Sequence, residues 1–266
     1  MSWALLKANF KYNYLIWALM TAIFFMYFAI MLSMYDPEYL DAMQQFMDML
    51  PPGLIQAMNF DSMGTDLFSF MSGYMYGFLL FLFPMVVSIV INHRLVSSFV
   101  DSGSMAYLLS SPNSRTKIIS TQIIFSLLSI TMLFVVYSAL ALLISEAMFP
   151  NQMNISNFLL LNLYALILYF ALGGIGFFFS TLFSDKSTSL SFGIGIPVAF
   201  LIFQMLSNAN EKLEGFKYLT MYTLFDFEKI GIDNSYVFFS MVILIMISGV
   251  FYGVSIVIFN QKNLYL

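Results

Sequence analysis

The sequence predicts an all-α integral membrane protein with six transmembrane helices, and two observations carry this prediction. Of its 266 residues, 61% are hydrophobic and only 9% are charged, whereas soluble domains carry about a quarter charged residues. The chain also contains six long stretches without Asp, Glu, Lys or Arg, and a spanning helix needs roughly 20 apolar residues. Because the stretches are continuously apolar, they favour helices over the alternating strands of an outer-membrane barrel.

The six stretches, trimmed at polar and turn residues, give the predicted spans. These lie near residues 13–33, 70–92, 118–144, 158–182, 188–207 and 236–259. Residues 1–266 are therefore expected to form a single transmembrane domain. The first apolar run is too long for a cleaved signal peptide, so we expect it to remain as an anchor.

The placement of Lys and Arg predicts that both termini are cytoplasmic. With the N-terminus inside, the cytoplasmic segments hold seven of the ten basic residues, and only Asp101 and Asp185 of the fourteen acidic ones. The other three lysines lie in the outer 208–235 loop. This loop is too apolar to be free in solvent, and it predicts a re-entrant region of one or two short helices before the sixth span.

Two further segments outside the spans show amphipathic patterns. Residues 1–12 predict a helix in the membrane interface, because three apolar residues share one face and two lysines lie on another. These residues are Trp3, Leu6, Phe10, Lys7 and Lys11. Residues 36–50 predict an extramembrane helix that begins at Asp36 and Pro37 and ends before Pro51.

The composition excludes most catalytic and metal chemistry. There is no Cys, which removes zinc-thiolate and iron–sulfur sites, and His93 is the single histidine. The chain has no Gly-Lys pair and therefore no Walker A loop. The predicted spans carry no Asp, Glu, Lys or Arg away from their ends, which argues against an intramembrane enzyme or a proton-coupled transporter. We expect no catalytic residue, metal or cofactor on this chain, and the net charge of −4 argues against nucleic acid.

Small and polar residues inside the spans predict close helix packing. The glycines Gly173, Gly174 and Gly176 would let the fourth span approach its neighbours. Three polar side chains, Gln122, Asn162 and Gln204, are expected to form hydrogen bonds between helices.

The loop between the second and third spans predicts a short helix with an apolar face. Gly103 interrupts the chain, Ser104 is placed to cap the helix, and Pro112 ends it. The apolar face is formed at helical spacing by Met105, Leu108 and Leu109. Held between two spans in the cytosol, this face either needs a partner that buries it or lies flat on the inner leaflet.

This loop resembles the corresponding loop of type-2 ABC exporter permeases. The similarity covers Val100–Arg115 and continues into Ile118-Ile119 and Thr121-Gln122. The Gly103, Leu108-Leu109, Pro112 and Arg115 positions match the family's Gly, Leu-Leu, Pro and Arg. The end of the fourth span, Gly174–Ser184, and the tail Phe259–Leu264 are also similar to this family, and the resemblance covers the whole chain. In one departure, Asp101 stands two residues before the loop glycine, whereas many members have a Glu further upstream, where this chain has Ser97 and Ser98.

The resemblance implies that the short helix is a coupling helix that docks into a groove of a separate ATPase subunit. The implied contact residues are Gly103, Ser104, Met105, Tyr107, Leu108, Leu109, Pro112 and Arg115. A secondary contact is expected from Asp185 and Lys186 in the second inner loop. ATP and Mg²⁺ would be bound by the ATPase, and two permease copies would pair, with substrate passing between their first, second and fifth spans.

In overall appearance the chain resembles the peptide- and toxin-exporting group, such as the phenol-soluble-modulin exporter permeases. This implies a bacterial plasma membrane and export of an amphipathic or hydrophobic substrate, for which we expect a peptide, while other family members export lipids or polysaccharides. A different class stays open: a membrane anchor without transport activity, or an immunity protein that only sequesters peptides. An ATPase encoded next to this chain would favour the exporter.

Overall fold

The computed structural model of the protein describes residues 1–35, 45, 49–59, 66–76, 82–110 and 113–262. Within these ranges every regular element is a helix, and six of the helices are long and apolar enough to cross a membrane. The predicted all-α class and the number of six candidate spans are thereby confirmed. The second candidate covers Leu82–Asp101, whereas the sequence predicted residues 70–92. Pro112 and most of the predicted 36–50 helix lie outside the described residues.

The elements follow one another in a simple order. Helix α1 covers Trp3–Ser33, and two short helices follow, α2 (Pro52–Ala57) and α3 (Leu67–Met71), the latter continuing as a π-helical segment over Ser72–Tyr76. Helix α4 (Leu82–Leu95) leads into two short helices, α5 (Ser97–Asp101) and α6 (Met105–Leu109). The remaining long helices are α7 (Arg115–Met148), α8 (Ile155–Leu182), α9 (Lys186–Ala209) and α10 (Asn234–Gln261).

The prediction of a separate interfacial helix over residues 1–12 is wrong. Helix α1 runs without interruption through this segment and is 31 residues long, because no Gly or Pro breaks it. Leu6 is buried, Phe10 packs against the core of the bundle, and only Trp3 of the three predicted apolar residues is exposed. The face predicted to contact lipid therefore contacts protein instead.

Helix α8 lies at the centre of the bundle and contacts α4, α7, α9 and α10. It is apolar around its circumference, as expected of a helix enclosed by other helices. Close approach depends on its glycines, as predicted: a Cβ on Gly173 would lie 3.1 Å from Ser88 Oγ and 3.2 Å from Tyr252 Oη. A Cβ on Gly174 would lie 3.2 Å from Phe251 Cβ.

The three predicted polar partners all form hydrogen bonds between elements. Asn9 Nδ2 donates to Gln122 Oε1 (2.5 Å), and Tyr76 Oη donates to Asn162 Oδ1 (2.7 Å). Thr223 Oγ1 donates to Gln204 Oε1 (2.9 Å). Among these only the Asn9–Gln122 pair joins two of the long helices, α1 and α7.

The segment before the last span folds into three short 3₁₀ helices, where the sequence predicted one or two short helices. These cover Glu211–Leu219, Tyr222–Leu224 and Phe227–Lys229. The segment is anchored by four buried side chains, Tyr222, Phe225, Phe227 and Ile230. These four side chains are covered by the bundle, whereas Tyr218 and Leu219 are exposed, and re-entry of the segment into the outer leaflet stays a prediction.

Asp226 makes the stability of the folded chain depend on pH. Burial, assisted by the nearby Glu228 carboxylate, raises the pKa of Asp226 above its ordinary value. The folded state then retains a proton that the unfolded state releases, so stability declines as the pH rises from the usual carboxyl range through the raised pKa. We expect Asp226→Asn to raise the melting temperature at neutral pH and to flatten this decline in a thermal melt series from pH 4 to pH 8. Glu211→Gln, which removes an exposed carboxylate from the same segment, is the charge-matched control, and an unchanged slope in Asp226→Asn would contradict the assignment.

Candidate functional site

Seven of the ten Lys and Arg residues lie at one end of the bundle, where α1, α7 and α9 begin and α4, α8 and α10 end. We call this the basic end, and its residues are Lys7, Lys11, Arg94, Arg115, Lys117, Lys186 and Lys262. The backbone N–H of Ser2 donates to Thr121 Oγ1 (2.8 Å), which joins the starts of α1 and α7. Both predicted inner loops also lie here, so the predicted contact residues that the structure describes lie at one end of the molecule.

The predicted short helix is α6, in the loop between α4 and α7, and we call residues 97–109 of this loop, which contain α5 and α6, the α5–α6 loop. Gly103 has a φ of 70°, a left-handed conformation that favours glycine, and it lets the chain turn between α5 and α6. Ser104 occupies the N-cap position of α6 but its side chain makes no cap hydrogen bond. Instead, Ser104 Oγ accepts a hydrogen bond from Ser102 Oγ (2.8 Å), so the predicted capping role of Ser104 is wrong.

Helix α6 turns its apolar face toward the bundle. Met105 is buried, and Leu108 and Leu109 are partly buried and pack against the core. The chain itself therefore covers much of this face, and contact of the partly buried Leu108 and Leu109 with a partner stays a prediction. Tyr107 points the other way and is 82% exposed. The large side chain that α6 offers to a partner is thus Tyr107.

The second inner loop is joined directly to the α5–α6 loop. Asp185 caps the start of α9, since its carboxylate accepts from the backbone N–H of Thr188 (3.2 Å). The backbone N–H of Lys186 donates to Asp101 Oδ1 (3.3 Å). Asp101 is the residue at which this chain departs from the family pattern, and here its carboxylate links α5 to the start of α9.

The basic end is closed by a tether between α7, α8 and α10 that the sequence did not predict. Arg115 Nη1 donates to the carbonyl oxygens of Asn260 (3.4 Å) and Lys262 (2.8 Å) at the end of α10. Lys262 Nζ in turn donates to three carbonyl oxygens at the end of α8. These belong to Thr181 (2.8 Å), Leu182 (3.2 Å) and Phe183 (2.8 Å). Terminal carbonyls lack intrahelical donors and carry partial negative charge, which a cation complements.

Lys262→Met is expected to loosen this tether. Burial lowers the pKa of Lys262, yet its ammonium remains placed over the carbonyl end of α8. We expect the substitution to cost about 1–2 kcal/mol of stability, the range for a partly buried cation at a helix C-terminus, and to lower the melting temperature in detergent. Lys117→Met removes an exposed lysine from the same end and is the control. Equal melting temperatures for the two variants would contradict a stabilising tether.

Buried polar side chains connect the basic end to the interior, with Asn92 of α4 at their centre. Asn92 Nδ2 donates to the carbonyl oxygen of Gly173 (2.9 Å) in α8, and Ser126 Oγ of α7 donates to Asn92 Oδ1 (2.5 Å). Ser180 Oγ donates to the carbonyl of Asn92 (2.9 Å) and accepts from the backbone N–H of Ser97 (3.1 Å) in α5. The α5–α6 loop is therefore fastened to the core helices through satisfied hydrogen bonds, which rigidify a buried site.

A second set of polar contacts fixes α1 to its neighbours. Gln122 of α7, which accepts from Asn9 of α1, donates through Nε2 to the carbonyl of Leu95 (2.9 Å) in α4. Trp17 Nε1 of α1 donates to Ser129 Oγ (2.8 Å) of α7. Arg94 Nη1 donates to Asn13 Oδ1 (3.2 Å). The start of α1, the end of α4 and the start of α7 are consequently held as one unit.

A family model described as ABC-2 family transporter protein matches residues 9–264 of the chain. The chain belongs to the ABC-2 transporter family. No curated protein and no solved structure matches it significantly. Membership confirms the ABC-2-type permease predicted from the resemblance. It also implies a multi-pass membrane protein with an ABC ATPase partner.

In this ABC-2 protein the predicted docking residues have different surroundings. Tyr107 and Gly103 are exposed, Met105 is enclosed, and Arg115 is engaged by the chain's own C-terminal end. Within the described ranges no group of three or more His, Asp or Glu side chains is placed to hold a metal ion. The exposed Tyr107 lies on a loop that hydrogen bonds join to the long helices.

Proposed function

We propose that the chain is the permease subunit of an ATP-driven exporter, and that a separate ABC ATPase docks on the α5–α6 loop. The observation that carries the proposal is the position of Tyr107, an 82% exposed aromatic side chain on a loop that hydrogen bonds join directly to α8 and α9. Large aromatic side chains dominate the energetics of protein interfaces. ATP and Mg²⁺ are bound by the ATPase in this proposal, and the chain itself contributes no catalytic residue.

The loop has two connections through which movement of the ATPase would reach the spans. One runs from Asp101 to the backbone of Lys186 at the start of α9. The other runs from Ser97 through Ser180 to Asn92 and so into α7 and α8. Rigid helices joined by satisfied hydrogen bonds are the kind of contiguous network along which coupling travels.

The substrate path in this proposal lies between two permease copies. Helices α1 and α9 are among the least enclosed spans, and both carry exposed apolar side chains along their length, among them Leu15, Phe25, Phe192 and Ile202. Such walls suit an amphipathic or hydrophobic substrate, for which we propose a peptide exported across a bacterial plasma membrane. Lipid and polysaccharide export are the alternatives within the family.

The proposal is tested by purifying the tagged chain from its native membrane in mild detergent and identifying the complex by mass spectrometry. An ABC ATPase in equal stoichiometry is the expected result, and the mass of the complex shows whether two copies of the chain are present. Stimulation of ATP hydrolysis by amphipathic peptides, compared with lipids, then separates the substrate classes. A chain that remains alone even after crosslinking would overturn the exporter and favour a membrane anchor or an immunity protein.

A further inference from the structure

A cleft of about 640 Å³ opens at the basic end between α1, the end of α4 and the α5–α6 loop. Its floor is formed by the buried residues Asn9, Asn13 and Leu95. At its mouth Ala8 and Lys11 are exposed. Most of the wall is apolar and comes from Leu5, Ala8, Tyr12, Leu95, Phe99 and Leu108. Tyr107 does not line the cleft, although Ser104 and Leu108 of the same loop do.

The cleft carries positive charge without a matching acid. Arg94 is partly buried in its wall, and its guanidinium carbon lies 5.2 Å from the centre of the Tyr12 ring. Lys11 stands at the mouth. None of the described residues that line the cleft is Asp or Glu, and the carboxylate of Asp101 on the adjoining α5 is engaged by the backbone of Lys186.

Arg94 has hydrogen-bonding capacity to spare. A guanidinium has five N–H donors in a planar fork, and Arg94 uses one of them for Asn13 Oδ1 (3.2 Å). That contact and the Tyr12 ring hold the group in place, which lowers the ordering cost of a ligand. A phosphate fits a fixed guanidinium because it accepts two parallel hydrogen bonds.

We propose that this cleft binds an anionic phospholipid, with the phosphate at Arg94 and Lys11 and an acyl chain along the apolar wall. The apolar wall favours a lipid over a free anion, because a soluble phosphate would leave that surface uncovered. The position also fits, since the cleft lies where the spans end, at the depth of the lipid headgroups, and basic side chains there attract anionic lipids. The proposal rests on the cleft and on family membership, and it does not depend on ATPase docking.

The test titrates the purified full chain in detergent with phosphatidylglycerol and with phosphatidylcholine of the same acyl chains, and measures bound lipid by native mass spectrometry. We expect phosphatidylglycerol to bind about tenfold more tightly, because phosphatidylcholine has the same phosphate but its choline cation would be repelled by Arg94 and Lys11. Arg94→Gln is expected to remove this preference. Equal binding of the two lipids by the wild-type chain would overturn the proposal.

Two matched pairs on α1 keep the result independent of the folding of the Arg94 variant. Lys11 and Ala8 line the cleft, whereas Lys7 and Ala4, one turn earlier on the same helix, are exposed outside it. Lys11→Gln should weaken phosphatidylglycerol binding and Lys7→Gln should not. Ala8→Trp should fill the cleft and displace the lipid without changing charge, while Ala4→Trp should leave binding intact.

Ala8→Trp, which fills the cleft, and its control Ala4→Trp test whether the lipid occupies the cleft. Retention of phosphatidylglycerol by Ala8→Trp would overturn the site, as would equal losses in Ala8→Trp and Ala4→Trp. Inorganic phosphate is added in a competition arm. Complete displacement of the lipid at millimolar phosphate would overturn the lipid proposal in favour of a free anion, and retention of the lipid would support the apolar contribution of the wall.

Discussion

Tyr107→Glu is expected to abolish co-purification of the ATPase subunit while the permease still folds. Tyr107 is 82% exposed on α6, so the substitution removes no contact from the core. In a docked complex the new carboxylate would be desolvated against the partner, and loss of a central aromatic contact alone costs about 2 kcal/mol or more, roughly 30-fold in affinity. Quantitative pull-down of the ATPase from membranes, followed by measurement of ATP hydrolysis, checks this expectation.

The bundle supplies a matched control for this experiment. Tyr218 is 81% exposed and lies in the first 3₁₀ helix, at the opposite end from the basic end, so Tyr218→Glu makes the same change on a surface that the ATPase would not meet. Charged residues at Leu108 and Leu109 are a poorer probe, because both side chains pack on the core and their replacement would disturb the permease itself. ATPase association that survives in Tyr107→Glu would remove α6 from the docking surface.

Gly173→Val is expected to cause a large loss of stability. A Cβ at this position would meet Ser88 Oγ at 3.1 Å and Tyr252 Oη at 3.2 Å, and valine adds two further methyl groups to that space. Overpacking of this kind costs about 1–3 kcal/mol. It would also push α4 and α10 away from α8. This would weaken the hydrogen bond that Asn92 of α4 donates to the carbonyl of Gly173. A lower melting temperature in detergent and reduced yield of the folded chain are the expected readouts.

Gly249→Val separates packing from the general effect of adding a branched side chain to a helix. Gly249 lies within α10, and a Cβ there would meet nothing within 4 Å. Both substitutions change glycine to valine inside a long helix, so they share any effect of helix propensity. We expect Gly249→Val to melt close to the wild type, and similar losses in both variants would contradict a role for close approach at Gly173.

The number of spans could be predicted because each depends on a property that the sequence displays directly, namely a long, mostly apolar run. The second candidate, Leu82–Asp101, also takes in Arg94 and Asp101. The surroundings of an apolar face could not be predicted in the same way. Residues 1–12 and α6 both show an apolar stripe. Such a stripe indicates that the face is covered, but it does not indicate what covers it. In both segments the cover is the bundle: Phe10 meets Phe125 with ring centres 5.0 Å apart, and Met105 is buried.

The polar connections of the site were hidden from the sequence for a different reason. Asn92 is neutral and sits at the end of an apolar run, so a search for charges in the spans passes over it. Arg115 and Lys262 are 147 residues apart in the chain, and no local pattern indicates that one binds the other. The glycines of α8 were a stronger signal, since small residues inside a span favour close helix contact wherever they occur.

The tether at Lys262 also has a consequence for biogenesis. The three carbonyls at the end of α8 are capped by a lysine about eighty positions later in the chain. During synthesis α8 is therefore inserted well before its cap is made, and the carbonyl end of this central helix stays open until all six spans have left the ribosome. Membrane insertion and closure of the bundle are then two separate events. A chain released just before Lys262 would contain all six spans and would still lack this contact.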